Sequence, residues 1–225
     1  MKPTSLPRTL LFDLDGTLVD TAPDLAKATN ALRTYHGLPP LPYAQIRSEV
    51  SNGGNALVTL ALGIDENDAA HAAARTFLLE AYGRDVATDS RLFPGLDALL
   101  THWSQPPRSW GIVTNKPRAY AVPLIKALGL EPGVLLCADD TETKKPSPEP
   151  LWEAARQLGV PVNECWYIGD HRRDMEAASA AGMVAVAAGY GYLDAGNDYV
   201  DWPADLWAST PEALVALLIT TSCST

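Results

Sequence analysis

The stretch Leu10-Leu11-Phe12-Asp13-Leu14-Asp15-Gly16-Thr17-Leu18 decides how this chain is organised. Its apolar start, residues 10–12, is too short for a helix and predicts a buried strand. Residues two apart in an extended chain point the same way, so we expect Asp13 and Asp15 to face one site at the end of that strand. Gly16 permits the tight turn that follows.

The two carboxylates in this stretch repel each other unless a cation, a shared proton or open solvent compensates their charge. A divalent cation bound by oxygen atoms, typically magnesium, is the simplest compensation. An ordinary solvated turn is the alternative, because aspartate and glycine are common in turns. The stretch alone leaves both interpretations open.

Composition limits the class of protein. The 225 residues carry a formal net charge of -10, and 47% are hydrophobic and 20% charged, as in globular domains. The negative charge argues against binding to nucleic acid or to anionic membranes. No apolar stretch is long enough to cross a bilayer, and residues 1–8 lack the apolar region of a secretory signal. With three scattered cysteines, these features predict a cytoplasmic protein, either a monomer or a homodimer.

Residues 20–89 form a nearly all-helical block in which we see no convincing strand. Thr21-Ala22-Pro23 is a helix-start signal, and apolar residues recur at helical spacing from Leu25 onward. An alanine-rich helix is predicted over residues 65–82. We interpret the block as a helical cap domain inserted into another domain.

From Phe93 onward, predicted strands alternate with predicted helices, which indicates a parallel sheet covered on both faces. The predicted strands are Trp110–Thr114, Val134–Cys137, Cys165–Ile168, Val184–Ala187 and Leu206–Trp207. Residues 1–19 and 90–225 therefore predict an α/β core domain with a Rossmann-like parallel sheet. Ligands of such sheets bind outside the carboxyl ends of the strands.

Polar side chains follow three more of these predicted strands, in the order Thr114 and Asn115, then Lys144 and Lys145, then Asp170 and Asp174. In a parallel sheet they gather at the same edge as Asp13 and Asp15. Together they supply what phosphoryl transfer needs, namely a cation site, donors for the phosphoryl oxygens and a carboxylate nucleophile.

Taken together, these motifs resemble the haloacid dehalogenase superfamily, and specifically its phosphatases. Four family motifs occur in order over nearly the whole chain, as Asp13-Leu14-Asp15-Gly16-Thr17, Thr114, Lys145, and Gly169-Asp170 with Asp174. The helical block is similar to the small helical cap of that family. The chain looks most like bacterial phosphoglycolate phosphatases, and residues 110–117 and 190–192 also resemble relatives that act on N-acetylmuramic acid 6-phosphate.

The resemblance implies a role for each motif residue. Asp13 is expected to attack phosphorus and form an aspartyl-phosphate. Asp15 is expected to protonate the leaving oxygen and then to activate water. Lys145 is expected to neutralise charge and restrain the nucleophile, while Thr114 and the backbone of Asn115 bind the phosphoryl group.

The resemblance also implies a magnesium site formed by Asp13, the backbone carbonyl of Asp15, and Asp170. Asp174 is expected to be a ligand through water or a partner of a ligand. It lies four residues after Asp170, on the same face of the next helix, and its alternative is an acid that stabilises the helix N-terminus.

Substrate selection is expected from the cap. In capped relatives a glycine-containing loop approaches the active site, which implies a substrate contact for Asn52, Gly53 and Gly54. A simple helix-entry turn is the alternative. Arg47 is a candidate for binding a substrate carboxylate in bidentate fashion, with a solvated helix face as its alternative. Residues 190–192 contain two tyrosines that are candidates for lining the site.

The sequence therefore predicts a magnesium-dependent phosphomonoester hydrolase that acts on a small phosphorylated metabolite. Phosphoglycolate is the first expected substrate, with N-acetylmuramic acid 6-phosphate or another sugar phosphate as the alternative. A phosphomutase that returns the phosphate to a sugar also remains open. So does a non-enzymatic regulatory module phosphorylated on aspartate, although the helical insertion and Asp15-Gly16-Thr17 argue against it.

Overall fold

The computed structural model describes residues 5–193 and 199–219, and a parallel β-sheet is its central element. The strands, in chain order, are β1 (Thr9–Phe12), β2 (Val19–Asp20), β3 (Arg91–Leu92), β4 (Ser109–Val113), β5 (Leu135–Leu136), β6 (Cys165–Gly169), β7 (Val184–Ala188) and β8 (Leu206–Ala208). Six of them form one sheet in the order β5-β4-β1-β6-β7-β8, with every neighbouring pair parallel. The predicted α/β class with a Rossmann-like sheet is confirmed.

Strand β1 lies at the centre of this sheet, between β4 and β6. Leu10 and Phe12 belong to the hydrophobic cluster on one face, and Leu11 belongs to the cluster on the other face. All three side chains are buried. A short, wholly apolar run is what a strand covered on both faces requires.

Helices cover both faces of the sheet and form the long connection between β2 and β3. In chain order they are α1 (Ala22–Tyr35), α2 (Tyr43–Arg47), α3 (Gly53–Leu62), α4 (His71–Arg84), α5 (Leu96–Trp103), α6 (Arg118–Ala127), α7 (Glu149–Leu158), α8 (Arg172–Ala181) and α9 (Pro211–Ile219). The larger hydrophobic cluster runs from one sheet face into helices α1 to α4. The division into a core and a cap remains our proposal, supported by this position of α1 to α4.

The two chain segments on either side of the helical block form a short ribbon. β2 pairs with β3 in antiparallel fashion, with Asp20 opposite Arg91. The prediction of no strand within residues 20–89 was therefore wrong at Asp20, because a two-residue strand is too short to show an alternating pattern. The ribbon holds side by side the two chain segments that connect the sheet to helices α1 to α4.

Two predicted elements are shorter than expected. The helix predicted over residues 65–82 begins only at His71, because the carboxylates of Asp65 and Asp68 accept hydrogen bonds from backbone amides two residues later and form turns. The third core strand contains Leu135–Leu136 and not the whole of residues 134–137.

Two expectations drawn from composition are also tested. Cys137 and Cys165, two of the three scattered cysteines, are free and buried thiols. In the described part of the chain, every helix is too short or too polar to span a membrane.

Candidate active site

Three buried carboxylates meet at the carboxyl ends of β1 and β6. Asp13 directly follows β1, Asp170 directly follows β6, and Asp174 lies in the first turn of α8. One oxygen of each lies within 4.8 Å of the others. A hydrogen bond of 2.9 Å from the Asp13 amide to the Ile168 carbonyl aligns the two strand ends. The structure thus brings these three predicted residues into one acidic cluster.

One buried ammonium group faces the acidic cluster. Lys145 Nζ lies 2.9 Å from Asp13 Oδ1 and donates a hydrogen bond of 2.8 Å to Asp174 Oδ1. It also donates to the Tyr167 hydroxyl at 2.6 Å, and that hydroxyl donates to the last carbonyl of β4 at 2.7 Å. Burial raises the pKa of Asp13, but the charges of Lys145 and Arg173 outweigh burial and hold this pKa below its usual value. Asp13 is therefore ionised at neutral pH.

Asp170 accepts hydrogen bonds from three different parts of the chain. Its Oδ1 accepts from Thr17 Oγ1 at 3.2 Å, and its Oδ2 accepts from Ser51 Oγ at 3.0 Å and from the Tyr192 amide at 2.8 Å. Burial, followed by the negative charges of the other two carboxylates, raises its pKa to about 7. In the metal-free protein this carboxyl group therefore titrates near neutrality.

The surroundings of Asp170 fit a metal ion. A Cβ atom at Gly16 would lie 2.2 Å from Asp170 Oδ2, and one at Gly191 would lie 2.6 Å from it, so only glycine leaves room for this carboxylate. Gly16 also has a φ of 80°, a left-handed conformation that favours glycine. Three clustered carboxylates facing one ammonium group leave an excess of negative charge, which a cation bound by oxygen atoms balances.

Asp174 caps a helix and also lies in the acidic cluster, and its role at a metal stays a prediction. Its Oδ2 accepts a hydrogen bond of 3.1 Å from the backbone amide of His171 and so caps the N-terminus of α8. Its Oδ1 faces Lys145 in the acidic cluster. The same carboxylate therefore stabilises the helix start and holds the buried ammonium group.

Asp15 lies beside this cluster, and its side chain has other partners. The carboxylate accepts hydrogen bonds from Thr21 Oγ1 at 2.6 Å and from Lys116 Nζ at 2.9 and 3.2 Å. It lines the same cavity as Asp13. In the described residues the acidic cluster does not include it, so the expected metal contact of Asp15 depends on its backbone carbonyl alone.

Lys116 is a site residue that the sequence analysis missed. Its side chain is 7% exposed, and its Nζ lies 4.5 Å from the ring centroid of Tyr82, a residue of α4. Burial lowers the pKa of Lys116, but the Asp15 carboxylate raises it more, so the group is charged. A signal was available, because Lys116 follows Thr114 by two residues at the end of a core strand.

Thr114 and Asn115 line the cavity beside Asp13, as expected from their position after β4. The Asn115 side chain also binds the loop that carries Lys145. Its Nδ2 donates to the Lys145 carbonyl at 2.9 Å, and its Oδ1 accepts from the Lys145 amide at 3.1 Å. Lys145 is buried in the acidic cluster, whereas the adjacent Lys144 is exposed at the cavity.

Comparison with known proteins agrees with this geometry. The family model described as haloacid dehalogenase-like hydrolase matches residues 10–188. The chain belongs to this family. It is 37% identical to an N-acetylmuramic acid 6-phosphate phosphatase of Pseudomonas aeruginosa, over 96% of each chain. It is 40% identical to a phosphoglycolate phosphatase of Xanthomonas campestris pv. campestris, over 92% of this chain and 95% of that protein.

Solved structures share the fold of this hydrolase. A crystal structure from Haemophilus somnus, described as a predicted phosphoglycolate phosphatase, has a TM-score of 0.82 and covers 97% of this chain and 100% of its own. At 23% sequence identity it supports the fold alone.

The hydrolase has a cavity of about 540 Å³ above Asp13, and the predicted cap loop lines it. Residues 51–55 all contribute, among them Asn52, Gly53 and Gly54. Helix α3 begins at Gly53, which has a φ of 83°. The loop is therefore a helix entry and a wall of the cavity at once, so the two interpretations of this loop do not exclude each other.

Arg47 lies elsewhere in this hydrolase. Its two Nη atoms donate to the carbonyls of Gly191 at 3.0 Å and Tyr190 at 3.2 Å, and its guanidinium lies 4.8 Å from the centroid of the Tyr192 ring. Neither Arg47 nor the two tyrosines line the cavity. These residues connect α2 to the loop behind Asp170. The geometry therefore gives no support to Arg47 as a substrate ligand. The Arg47 side chain is also not simply solvated, since it binds two backbone carbonyls.

Proposed function

We propose that this hydrolase is a magnesium-dependent phosphomonoesterase that acts through an aspartyl-phosphate on Asp13. The observation that carries the proposal is a buried carboxylate, kept ionised by Lys145, at the base of a cavity and beside an acidic cluster. An ionised carboxylate approaches a phosphate dianion only where positive charge offsets their repulsion. Both curated relatives described above are phosphatases by name.

Magnesium fits the acidic cluster because it prefers oxygen ligands and keeps several waters. Asp13, Asp170 and the backbone carbonyl of Asp15 would hold it, with Asp174 as a partner of the site. When bound, Mg²⁺ neutralises charge on the phosphoryl oxygens. We assign the restraint of Asp13 to Lys145, which the Tyr167 hydroxyl holds in place.

The reaction then takes two displacement steps. An oxygen of Asp13 attacks phosphorus, the bond from phosphorus to the ester oxygen breaks, and a proton carried by Asp15 goes to that oxygen. Asp15 next takes a proton from water, the water oxygen attacks phosphorus, and the bond from phosphorus to Asp13 breaks to release inorganic phosphate. Lys145, Thr114 and the backbone of Asn115 bind the phosphoryl oxygens.

We propose a small metabolite as the substrate, with 2-phosphoglycolate first and N-acetylmuramic acid 6-phosphate second. Both esters carry one phosphate monoester and one carboxylate. The cavity of about 540 Å³ has room for a sugar-sized leaving group. We also propose a cytoplasmic location, which the buried free thiols Cys137 and Cys165 support.

The test is phosphate release in the presence of Mg²⁺ from p-nitrophenyl phosphate, 2-phosphoglycolate, N-acetylmuramic acid 6-phosphate and several hexose phosphates. We expect release that stops when EDTA removes the metal. Conversion of a hexose phosphate into its isomer, without free phosphate, would instead identify a phosphomutase. No turnover of any ester would contradict an enzymatic function and favour a phospho-acceptor module.

A further inference from the structure

The cationic side chains that line the cavity differ in whether the protein supplies a partner for them. Lys116 is paired with Asp15, and Arg173 donates to a cap-loop carbonyl at 2.5 Å. Arg75, on α4, and Lys144, beside the buried Lys145, are both exposed at the cavity. Across residues 5–193 and 199–219, neither of these two side chains has a hydrogen bond or an ion pair with the protein.

Arg75 lies against the cap loop. A Cβ atom built on Gly54 would be 3.7 Å from Arg75 Nε, so the guanidinium passes close to the backbone of that loop. Glu66, the acidic side chain that the helical segment contributes to the cavity lining, is already held by a hydrogen bond of 2.8 Å from Asn55 Nδ2. Arg75 therefore brings an uncompensated, forked donor to the cavity wall formed by the helical segment.

The phosphoryl group does not need this donor. Lys145, Thr114 and the acidic cluster all lie at the sheet edge, whereas Arg75 belongs to the helical segment that covers the cavity. In a ligand that spans the cavity, the phosphate contacts the groups at the sheet edge, and the leaving group contacts Arg75 and the helical segment. A guanidinium matches a carboxylate in bidentate geometry and remains charged at every physiological pH.

We infer that Arg75 binds a carboxylate on the leaving group and thereby selects phosphate esters of carboxylic acids. The inference rests on the proposed phosphatase function and adds the residue that recognises the leaving group. It moves the carboxylate-binding role from Arg47, whose Nη atoms bind backbone carbonyls, to an arginine of helix α4.

The test compares esters with and without a carboxylate on the leaving group. N-acetylmuramic acid 6-phosphate is paired with N-acetylglucosamine 6-phosphate, which lacks the lactyl acid, and 2-phosphoglycolate is paired with 2-hydroxyethyl phosphate. For each pair, the ratio of kcat/KM with and without the carboxylate is measured for wild type and variants. We expect wild type to favour the acid in at least one pair, and Arg75→Gln to lower that ratio about 10- to 100-fold.

The controls separate a binding role from a structural one. Arg84→Gln removes an exposed arginine from the last turn of the same helix, away from the cavity, and should leave the ratio unchanged. Arg75→Lys keeps the charge and loses the fork, so it should restore part of the preference. Lys144→Gln tests the other unpaired cation and should change the ratio less than Arg75→Gln does.

Three results would overturn the inference. They are a wild-type enzyme with no preference for the acid in either pair, an Arg75→Gln variant that keeps the preference, and a larger loss from Lys144→Gln than from Arg75→Gln. Failure of the proposed function looks different, because wild type would then release no phosphate from either member of a pair or from p-nitrophenyl phosphate.

Discussion

Lys116 Nζ lies 2.9 Å from Oδ1 and 3.2 Å from Oδ2 of Asp15, so one buried ammonium group binds both oxygens of the proposed acid–base residue. The hydroxyl of Thr21 donates a second hydrogen bond to Oδ1 at 2.6 Å. Tyr82, from α4, places its ring 4.5 Å from Nζ and covers the pair. The orientation of Asp15 thus depends on the core strand β4 and on the helical segment together.

Replacing Lys116 by methionine should lower kcat by roughly 10- to 100-fold for every ester, because Asp15 loses the partner that orients it. KM should change less, since we assign phosphoryl binding to Lys145, Thr114 and the backbone of Asn115. Lys116→Arg retains a bidentate cation and should recover part of kcat. Steady-state kinetics on p-nitrophenyl phosphate measure both parameters.

The matched control for this change is Lys126→Met, in the exposed last turn of α6. Removal of one partner from a buried ion pair also destabilises proteins, by about 3–5 kcal/mol. Circular dichroism must therefore show that the variant is folded at the assay temperature. A folded Lys116→Met protein with wild-type kcat would show that Asp15 needs no such partner.

Asp13→Asn should abolish phosphate release, because an amide oxygen is not a nucleophile under these conditions. The change also removes the negative charge that faces Lys145 at 2.9 Å. Acid-quenched protein from wild-type turnover should carry phosphate on Asp13, detectable by mass spectrometry, and the variant should carry none. Asp97→Asn, at an exposed acid in the first turn of α5, serves as the control. Normal turnover by Asp13→Asn would refute the proposed nucleophile.

The acidic cluster was predictable because each of its residues directly follows a buried strand or lies one turn into the next helix. Parallel strands place such positions at one edge, so Asp13 and Asp170 needed only the order of the strands. Lys145 follows the end of β5 by nine residues, and the family resemblance was needed to single it out. Lys116 also follows a core strand, so its place at this edge was predictable, but its contacts with Asp15 and Tyr82 were not. Those contacts and the position of Arg75 depend on which loops of the sheet meet helices α1 to α4, and a helical repeat in a sequence contains no such information.

The contacts of Arg47 were also not predictable from the local sequence. Its position on a short helix made a solvated face or a substrate ligand reasonable interpretations. In the structure it binds the carbonyl of Gly191, which is 144 residues away in the chain. Contacts of this sequence separation arise from tertiary packing, and local patterns do not reveal them.

The metal-free protein should lose stability as pH rises from about 4 to about 7, because of Asp170. Its pKa is raised to about 7 in the folded protein, whereas an aspartate of the unfolded chain titrates near pH 3.9. Between these values the folded state holds a proton that the unfolded state has released, so the free energy of unfolding falls with pH. Urea unfolding in EDTA at several pH values measures this trend.

Asp170→Asn is the matched variant for that measurement, since its amide does not titrate. Its stability should depend less on pH over the same window, so the two curves should diverge as pH rises. Mg²⁺ at 100 times its dissociation constant should then stabilise wild type by about 2.7 kcal/mol at pH 8 and the variant by much less. Parallel pH curves, or equal stabilisation by Mg²⁺, would contradict the assignment of Asp170 to the metal site.

Asp24→Asn should destabilise the protein by about 1.5–3 kcal/mol, because it weakens hydrogen bonds to a buried carboxylate. Asp24 accepts a hydrogen bond from the Asp89 amide, and two more from the amide and the hydroxyl of Ser90 at 2.8 and 2.7 Å. These bonds connect α1 to the chain just before β3. Burial raises its pKa, but these donors outweigh burial and lower it.

The sign of the pH dependence at Asp24 follows from this lowered pKa. The stabilisation is present above about pH 4, where the unfolded chain is already ionised, and it disappears as pH falls through the lower pKa of the folded state. The difference in urea midpoint between wild type and Asp24→Asn should therefore be large at pH 7 and shrink in acid. Asp97→Asn, an exposed acid at the equivalent turn of α5, should show neither effect. If the difference in urea midpoint stays constant down to about pH 2, the charge on Asp24 does not contribute to holding α1 against the chain before β3.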